Sequence, residues 1–413
     1  MASDDAEVVI VGGGAAGLAA ARRLHDSGIR CLLVEARSRL GGRAFTVIDR
    51  FGHALDVGCG WLHSADSNPW SGIAEAQGRQ VDRTLPPWMR PALPMGFPLA
   101  EQRAFHDAAD AFYARLDDAE DTPDRAAAAL LEPGGRWNNL IVAVNTFVTG
   151  TELERVSTLD LARYDDTGVN WRVVEGYGTT IAAHGADLPA VLDCPVLRID
   201  HSGHRLRIET AKGAITADWV IVTVPTSILA TPEFFTPALP GKTEAARGLP
   251  LGLDDKLFLS LDGAEEFEKD SRLFGHTDRV ATAAYHLRPF GRPQIEAYFG
   301  GTLASDLETQ GERAFLDFAV SELAERLGSA FARRVKPIAM YRWGADPFAR
   351  GSYSYALPGK ADLREVLAAP VDDRLFFAGE ACSRHDFSTA HGGFFTGVAA
   401  ADQVIAARQQ RRS

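Results

Sequence analysis

Three glycines, Gly12, Gly14 and Gly17, stand at G-x-G-x-x-G spacing, and an acid, Glu35, follows them by one helix and one strand. Glycines so placed allow a tight turn, a close approach of backbone to a pyrophosphate and close packing of the next helix, while the acid can accept hydrogen bonds from ribose hydroxyls. A second piece lies near the C-terminus in LFFAGEACSRHDFSTAHGG, Leu375 to Gly393. There an apolar strand stops at Gly379-Glu380, and a helix opens after Gly392-Gly393 with free N–H groups for an electron-rich ligand. Two distant ends building one site imply a large nucleotide cofactor. Arg43, after Gly41-Gly42, can reach a phosphate from a close-lying loop.

The elements that must position these residues follow from the pattern. Val8 to Val11 read as a buried parallel strand, Ala15 to Leu24 as a helix aimed at the pyrophosphate, and Cys31 to Val34 as the strand that ends at Glu35. Val81 to Phe97, rich in proline and aromatics, reads as an irregular crossing, and Glu101 to Leu131 as helical. The acids Asp117, Asp118, Glu120, Asp121 and Asp124 read as a solvated face without a site role. After a turn at Glu175 to Gly178, the segment from Cys194 to Pro225 alternates as strands joined at Gly203 and Gly213, ending in a buried strand, Trp219 to Val224. Leu251 to Leu261 starts a second excursion, Gln310 to Leu327 reads as a helix, and Leu375 to Ala378 closes the parallel sheet. The fold class is therefore α/β, with two interleaved, discontinuous domains: a nucleotide domain of residues 1–78, 176–245 and 366–413, and a substrate domain of residues 79–175 and 246–365. On the strand DKLFLSL, Leu257, Leu259 and Leu261 share one face and Lys256, Phe258 and Ser260 the other, so Lys256 is spared the aliphatic core.

The chain of 413 residues is 46% apolar, enough for two or three domains with real cores. A net charge of −12 disfavours a nucleic-acid partner. Four cysteines without C-x-x-C or histidine spacing suggest neither a disulfide framework nor a metal site. With an acidic N-terminus that enters a strand at once and no apolar window of membrane length, the expectation is a cytoplasmic protein, monomer or homodimer, that does not engage a membrane.

Five blocks then carry a likeness: GGGAAG with Glu35 and Gly41-Gly42-Arg43, GCGWLHSADSNP, LGLDDKLFLSL, YRWGADPFARGSYSYALPG and the C-terminal block. Together they resemble the flavin-containing amine oxidases, and the motifs lean toward spermine and polyamine oxidases. The resemblance implies a Rossmann-like FAD-binding domain interleaved with a substrate domain of mixed sheet and helices. It implies that Glu35 holds the adenosine ribose, Arg37 and Arg43 lie by the pyrophosphate, and Val196 meets the adenine. Gly379 and Glu380 would contact the pyrophosphate and ribityl region, Ala390 the flavin O2 edge, and Trp343 would pack by the flavin. Ala16, Ala36, Gly42, Gly60, Trp61 and Thr389 complete the implied cofactor set.

By the same resemblance Lys256 holds a water by flavin N5 and assists reoxidation, Tyr353 presents an aromatic face to the amine, and His63 faces the substrate and takes part in its deprotonation. Tyr355 shares a strand face with Tyr353 by period-two counting. The implied chemistry is hydride transfer from the amine α-carbon to N5, hydrolysis of the imine, and reoxidation by O2 to hydrogen peroxide. Ser352 stands where monoamine oxidases carry the cysteine that binds FAD covalently, so FAD is expected to be non-covalent. Thr389 replaces a second cage tyrosine, which with His63 turns the expectation toward polyamine-like secondary amines. An L-amino-acid oxidase would need a cavity arginine, for which Arg90, Arg172 and Arg288 are candidates, and Glu175 or Asp165 could hold a distal ammonium. A dehydrogenase with another electron acceptor and, from a different class, a protein-binding module are the remaining alternatives.

Overall fold

The computed structural model describes residues 5–120 and 122–412; residues 1–4, Asp121 and Ser413 lie outside it, and with Asp121 one member of the acidic run. β1 (Asp5–Val11), α1 (Ala15–Asp26) and β2 (Cys31–Val34) form the opening parallel unit, with Val8 opposite Cys31 and Val11 opposite Val34. Val8, Val9 and Ile10 are fully buried, as a strand covered on both faces requires. Gly12 turns the chain at φ 109°, and a Cβ on Gly17 would stand 1.9 Å from the Gly12 carbonyl oxygen, so neither position accommodates a side chain.

The chain then makes its first excursion, which contributes α2 (Leu99–Asp117) and α3 (Asn138–Thr149). It returns with β3 (Ala190–Val191), β4 (Val196–Asp200), β5 (Leu206–Thr210), β6 (Gly213–Val222) and β7 (Phe235–Thr236). β4, β5 and the start of β6 are an antiparallel meander, while β6 also runs parallel beside β1. β6 therefore begins at Gly213 and not at Trp219, because one long strand serves both as the end of the meander and as a strand of the parallel sheet.

A second, five-stranded antiparallel sheet follows, built from β8 (Asp254–Leu261), β9 (Ser271–Phe274), β10 (Ala284–Leu287), β11 (Gln294–Gly300) and β12 (Val335–Tyr341), in spatial order β9-β10-β11-β8-β12. Between its last two strands lies α4 (Glu312–Leu327). The side chains of Leu257, Leu259, Ile295, Ala297 and Phe299 pack with Phe315, Ala319 and Leu323 of α4 in one apolar core. The alternate residues of the same strands therefore face the other way. β13 (Leu375–Phe377) then pairs in parallel with Val220–Val222 and completes an eight-stranded sheet of order β7-β4-β5-β6-β1-β2-β3 with β13 beside β6. The last helix, α5 (Ala390–Arg412), packs along α1, and a Cβ on Gly397 would come within 2.1 Å of the Ala16 carbonyl oxygen. No helix among the described residues is long and apolar enough to cross a membrane.

Three local expectations are corrected. The helix expected over Glu101 to Leu131 stops at Asp117, and only a short 3-10 turn, Ala127–Leu130, follows. Between them the Asp124 carboxylate accepts hydrogen bonds from Ser157 Oγ at 2.8 Å and Gly359 N at 2.6 Å, fastening the segment to other loops. The helix expected over Gln310 to Leu327 is α4, which starts two residues later because Gly311, at φ 94°, separates it from a preceding helix, Gly301–Gln310. Tyr353 and Tyr355 lie on no strand; Ser354 makes one isolated bridge to Leu251, and Gly351 at φ 147° bends the chain into an irregular loop.

Candidate active site

A cavity of about 1190 Å³ runs from the Gly12–Gly14 turn past Lys256 to α2 and α3. That exceeds the roughly 300–1,000 Å³ of an ordinary small-ligand pocket and leaves room for a cofactor and a substrate together. At one end Gly14 and Gly379 expose bare backbone: a Cβ on Gly14 would meet nothing nearer than 3.8 Å, and one on Gly379 nothing within 4 Å. The first-turn N–H groups of α1 and α5 open there, with Ala16 and Ala390 on the wall. Glu35 is buried, and its carboxylate accepts from Gly13 N at 2.6 Å and Arg37 N at 2.8 Å, each oxygen keeping a lone pair for a further donor. Ala36 and Val196 line the far end. The fit is to a dinucleotide with an extended pyrophosphate, such as FAD.

The two chain ends meet at Arg43 and Glu380. Arg43 Nη1 donates to Glu380 Oε1 and to the Ser352 carbonyl oxygen, both at 2.8 Å, which leaves Nη2 and Nε for the groove. Glu380 also accepts from Ser354 Oγ at 2.6 Å and Ser388 N at 3.0 Å. Burial alone would raise this carboxyl, but Arg43 and the Ser354 hydroxyl outweigh it and hold Glu380 below the usual carboxylate range. Arg37, expected by the pyrophosphate, lines the same end of the cavity, and its guanidinium fork grips Asp346, Nη2 to Oδ1 at 2.6 Å and Nε to Oδ2 at 3.3 Å.

Lys256 lies midway along the cavity. Its Nζ donates to the Asp56 carbonyl oxygen at 3.0 Å and lies 3.3 Å from Glu296 Oε1. Gly60 is the residue that admits it, since a Cβ there would stand 3.2 Å from Nζ. Glu296, on β11, also takes Arg172 Nη2 at 2.9 Å, with His286 Nδ1 at 3.7 Å. Burial would raise Glu296, yet Arg172, Lys256 and His286 together hold it well below the usual range. Asp56 and Asp254 behave oppositely: burial pushes both carboxyls up, Asp254 well above the ordinary value. Arg172 is sandwiched between the Trp61 and Phe290 rings, 4.8 and 4.4 Å from their centroids. Trp61 Nε1 in turn donates to Tyr298 Oη at 3.3 Å.

On the facing wall, His63 Nδ1 is 2.6 Å from Asn170 Oδ1, and Asn170 Nδ2 donates to the Gly168 carbonyl oxygen. The amide orientation makes Nδ1 the protonated nitrogen and leaves Nε2 with its lone pair. Burial lowers the His63 pKa, so the ring is neutral at pH 7. Tyr353 Oη donates to the Phe147 carbonyl oxygen at 2.6 Å, which fixes the ring as part of the wall. Trp343 donates through Nε1 to the Val57 carbonyl oxygen at 2.9 Å.

A sequence profile described as "Flavin containing amine oxidoreductase" matches residues 137–405, more than half of the chain. The chain belongs to this family. Residues 10–76 match a second profile, an NAD(P)-binding Rossmann-like domain. Polyamine oxidase 2 of Arabidopsis thaliana is 28% identical over 96% of this chain and 87% of its own length. Polyamine oxidase 4 of Oryza sativa subsp. japonica is 27% identical over 96% and 88%. Lysine-specific histone demethylase 2 of Homo sapiens is 24% identical over 97% of this chain but 53% of its own length. The protein is a flavin-dependent amine oxidoreductase.

Within this amine oxidoreductase the expected residues Gly12, Gly14, Ala16, Glu35, Ala36, Arg37, Gly42, Arg43, Gly60, Trp61, His63, Val196, Lys256, Trp343, Tyr353, Gly379, Glu380, Thr389 and Ala390 all line the one cavity. Gly17 lies behind the turn, in the buried packing of α1. Thr389 lines the cavity and also caps α5, its Oγ1 accepting from Gly392 N at 2.9 Å. Of the candidate charges for a substrate's distal end, Glu175, Asp165, Arg90 and Arg288 are absent from the cavity wall, and Arg172 is consumed by Glu296. Glu296, Asp56, Asn170 and Tyr298 were missed. For Glu296 the available signal was an acid at an alternating position between the apolar Ile295 and Ala297 of a strand.

Proposed function

We propose that this enzyme oxidises a secondary amine at the carbon next to nitrogen, with non-covalent FAD and with dioxygen as the terminal acceptor. The net reaction takes amine, O2 and water to an aldehyde, a shorter amine and hydrogen peroxide. FAD when bound supplies the hydride-accepting chemistry; the protein supplies orientation, proton handling and exclusion of water. Lys256, His63 and Tyr353 are its proposed working residues. His63 Nε2, with its lone pair, can take the proton of an incoming ammonium so that nitrogen presents its own lone pair. The Tyr353 ring, held by its hydroxyl bond to Phe147, walls the amine in.

Lys256 has an acceptor in Asp56 and a counter-ion in Glu296, which leaves its third N–H for a water where oxygen would react. That buried, paired lysine in the cavity is the observation that carries the proposal. The names of the plant relatives support a polyamine-like length of substrate. Ser352 supports non-covalent binding, since its Oγ has no route to a thioether and is held by the Asp254 carbonyl oxygen at 2.8 Å. The domain boundaries 1–78, 176–245 and 366–413 against 79–175 and 246–365 belong to the proposal. So does a cytoplasmic location, which the four unpaired cysteines support.

The test is an oxygen electrode with peroxide assay. One peroxide per amine oxidised is expected, and Lys256→Met should slow reoxidation by oxygen on the order of a hundredfold. Turnover with an artificial acceptor but none with oxygen would favour a dehydrogenase.

A further inference from the structure

Arg272 is a cavity cation without a counter-ion. It lines the cavity, and among the described residues no carboxylate lies within ion-pair distance of it and its side chain makes no hydrogen bond. Its guanidinium lies over the Phe274 ring, Cζ 4.1 Å from the centroid. The acids on and beside its own sheet are already committed. Glu296 serves Arg172 and Lys256, while Asp270 takes His286 Nε2 at 3.0 Å. Burial lowers the Arg272 guanidinium to about 10, the mark of a charge whose desolvation is not compensated by the protein. A folded chain that keeps such a charge on the wall of its substrate cavity invites an anion from outside.

The register of the second sheet says where that anion would sit. Arg272 pairs with His286, His286 with Glu296, and Phe274, Ala284, Tyr298 and Lys256 are aligned one row over. All of these side chains share the cavity face. Three strand spacings separate β9 from β8, about 14 Å across the sheet. In an α-amino acid the carboxylate is two bonds from the hydrogen that is removed, too close to reach Arg272 from beside Lys256. A single guanidinium backed by Phe274 suits a monoanion; a phosphate dianion would call for a second cation.

Resting on the amine-oxidase proposal above, we infer that the substrate is an amine bearing a carboxylate at its far end, and that Arg272 binds that carboxylate. A linear polyamine of the same length would place an ammonium against Arg272 and be disfavoured.

Two measurements separate this claim from the one beneath it. Calorimetric titration of the holoenzyme with hexanoate should show saturable binding, weakened about tenfold or more in Arg272→Met and less in Arg272→Lys, as loss of one charge-assisted contact requires. Equal affinity of wild type and Arg272→Met for hexanoate, or of wild type for hexanoate and hexanamide, would overturn it. In turnover, 6-(methylamino)hexanoate should exceed its amide and N-methyl-1,6-hexanediamine in kcat/KM by about tenfold or more, with the ratios falling toward one in Arg272→Met. A preference for the diamine would also overturn it. If no amine reduces the flavin while hexanoate still binds through Arg272, the amine-oxidase proposal falls and the anion site stands.

Discussion

Lys256 Nζ lies 3.3 Å from Glu296 Oε1, and the same carboxylate holds Arg172 Nη2 at 2.9 Å through its other oxygen. One acid thus compensates two buried cations and keeps Lys256 in place beside Gly60. Charged groups so far from water are costly unless paired, and removing the shared partner exposes that cost.

Glu296→Gln should therefore destabilise the protein by about 3–5 kcal/mol at pH 7. Glu296 is held well below its usual range when folded, so its contribution is present above the unfolded value, about 4.3, and is lost as pH falls further. Thermal unfolding of wild type and variant should show a wide gap at pH 7 that narrows below about pH 4. A gap independent of pH would contradict the shared-carboxylate arrangement.

His63 is held neutral by burial, its folded pKa below the unfolded value of about 6.5. The unfolded chain then binds more protons, so stability is full above that value and declines as pH falls below it. Wild type should lose stability between about pH 7 and 5 more steeply than His63→Gln. Parallel curves would place the proton elsewhere.

Arg43→Met should lower flavin retention. It deletes a groove-facing guanidinium and leaves buried Glu380 without its ion-pair partner. One lost charge-assisted contact corresponds to roughly 10- to 100-fold in affinity. The flavin-to-protein absorbance ratio after gel filtration reads the effect; an unchanged ratio would count against a phosphate role for Arg43.

Acid precipitation of the holoenzyme should release its flavin into the supernatant, because Ser352 offers no sulfur. Yellow colour retained in the pellet would contradict non-covalent binding.

The readable parts were local. Gly12, Gly14, Gly17 and Glu35 lie within one short unit, and the face of Lys256 follows from alternation along a single strand. Glu296 and Asp56 are not legible because they converge from separate strands and loops whose register only the folded chain defines. Tyr353 and Tyr355 alternate like a strand, but Gly351 and the single bridge at Ser354 make a loop of them. Thr389 also caps α5 through its hydroxyl, a local role set by where the helix begins. Arg37 likewise found Asp346, an acid far along the chain.

The most direct test of FAD-dependent amine oxidation is anaerobic mixing of the oxidised holoenzyme with secondary amines while flavin absorbance is followed. Rapid bleaching by a secondary amine, reversed when oxygen is admitted, is the expected result. Bleaching by α-amino acids alone, or by no amine at all, would contradict it.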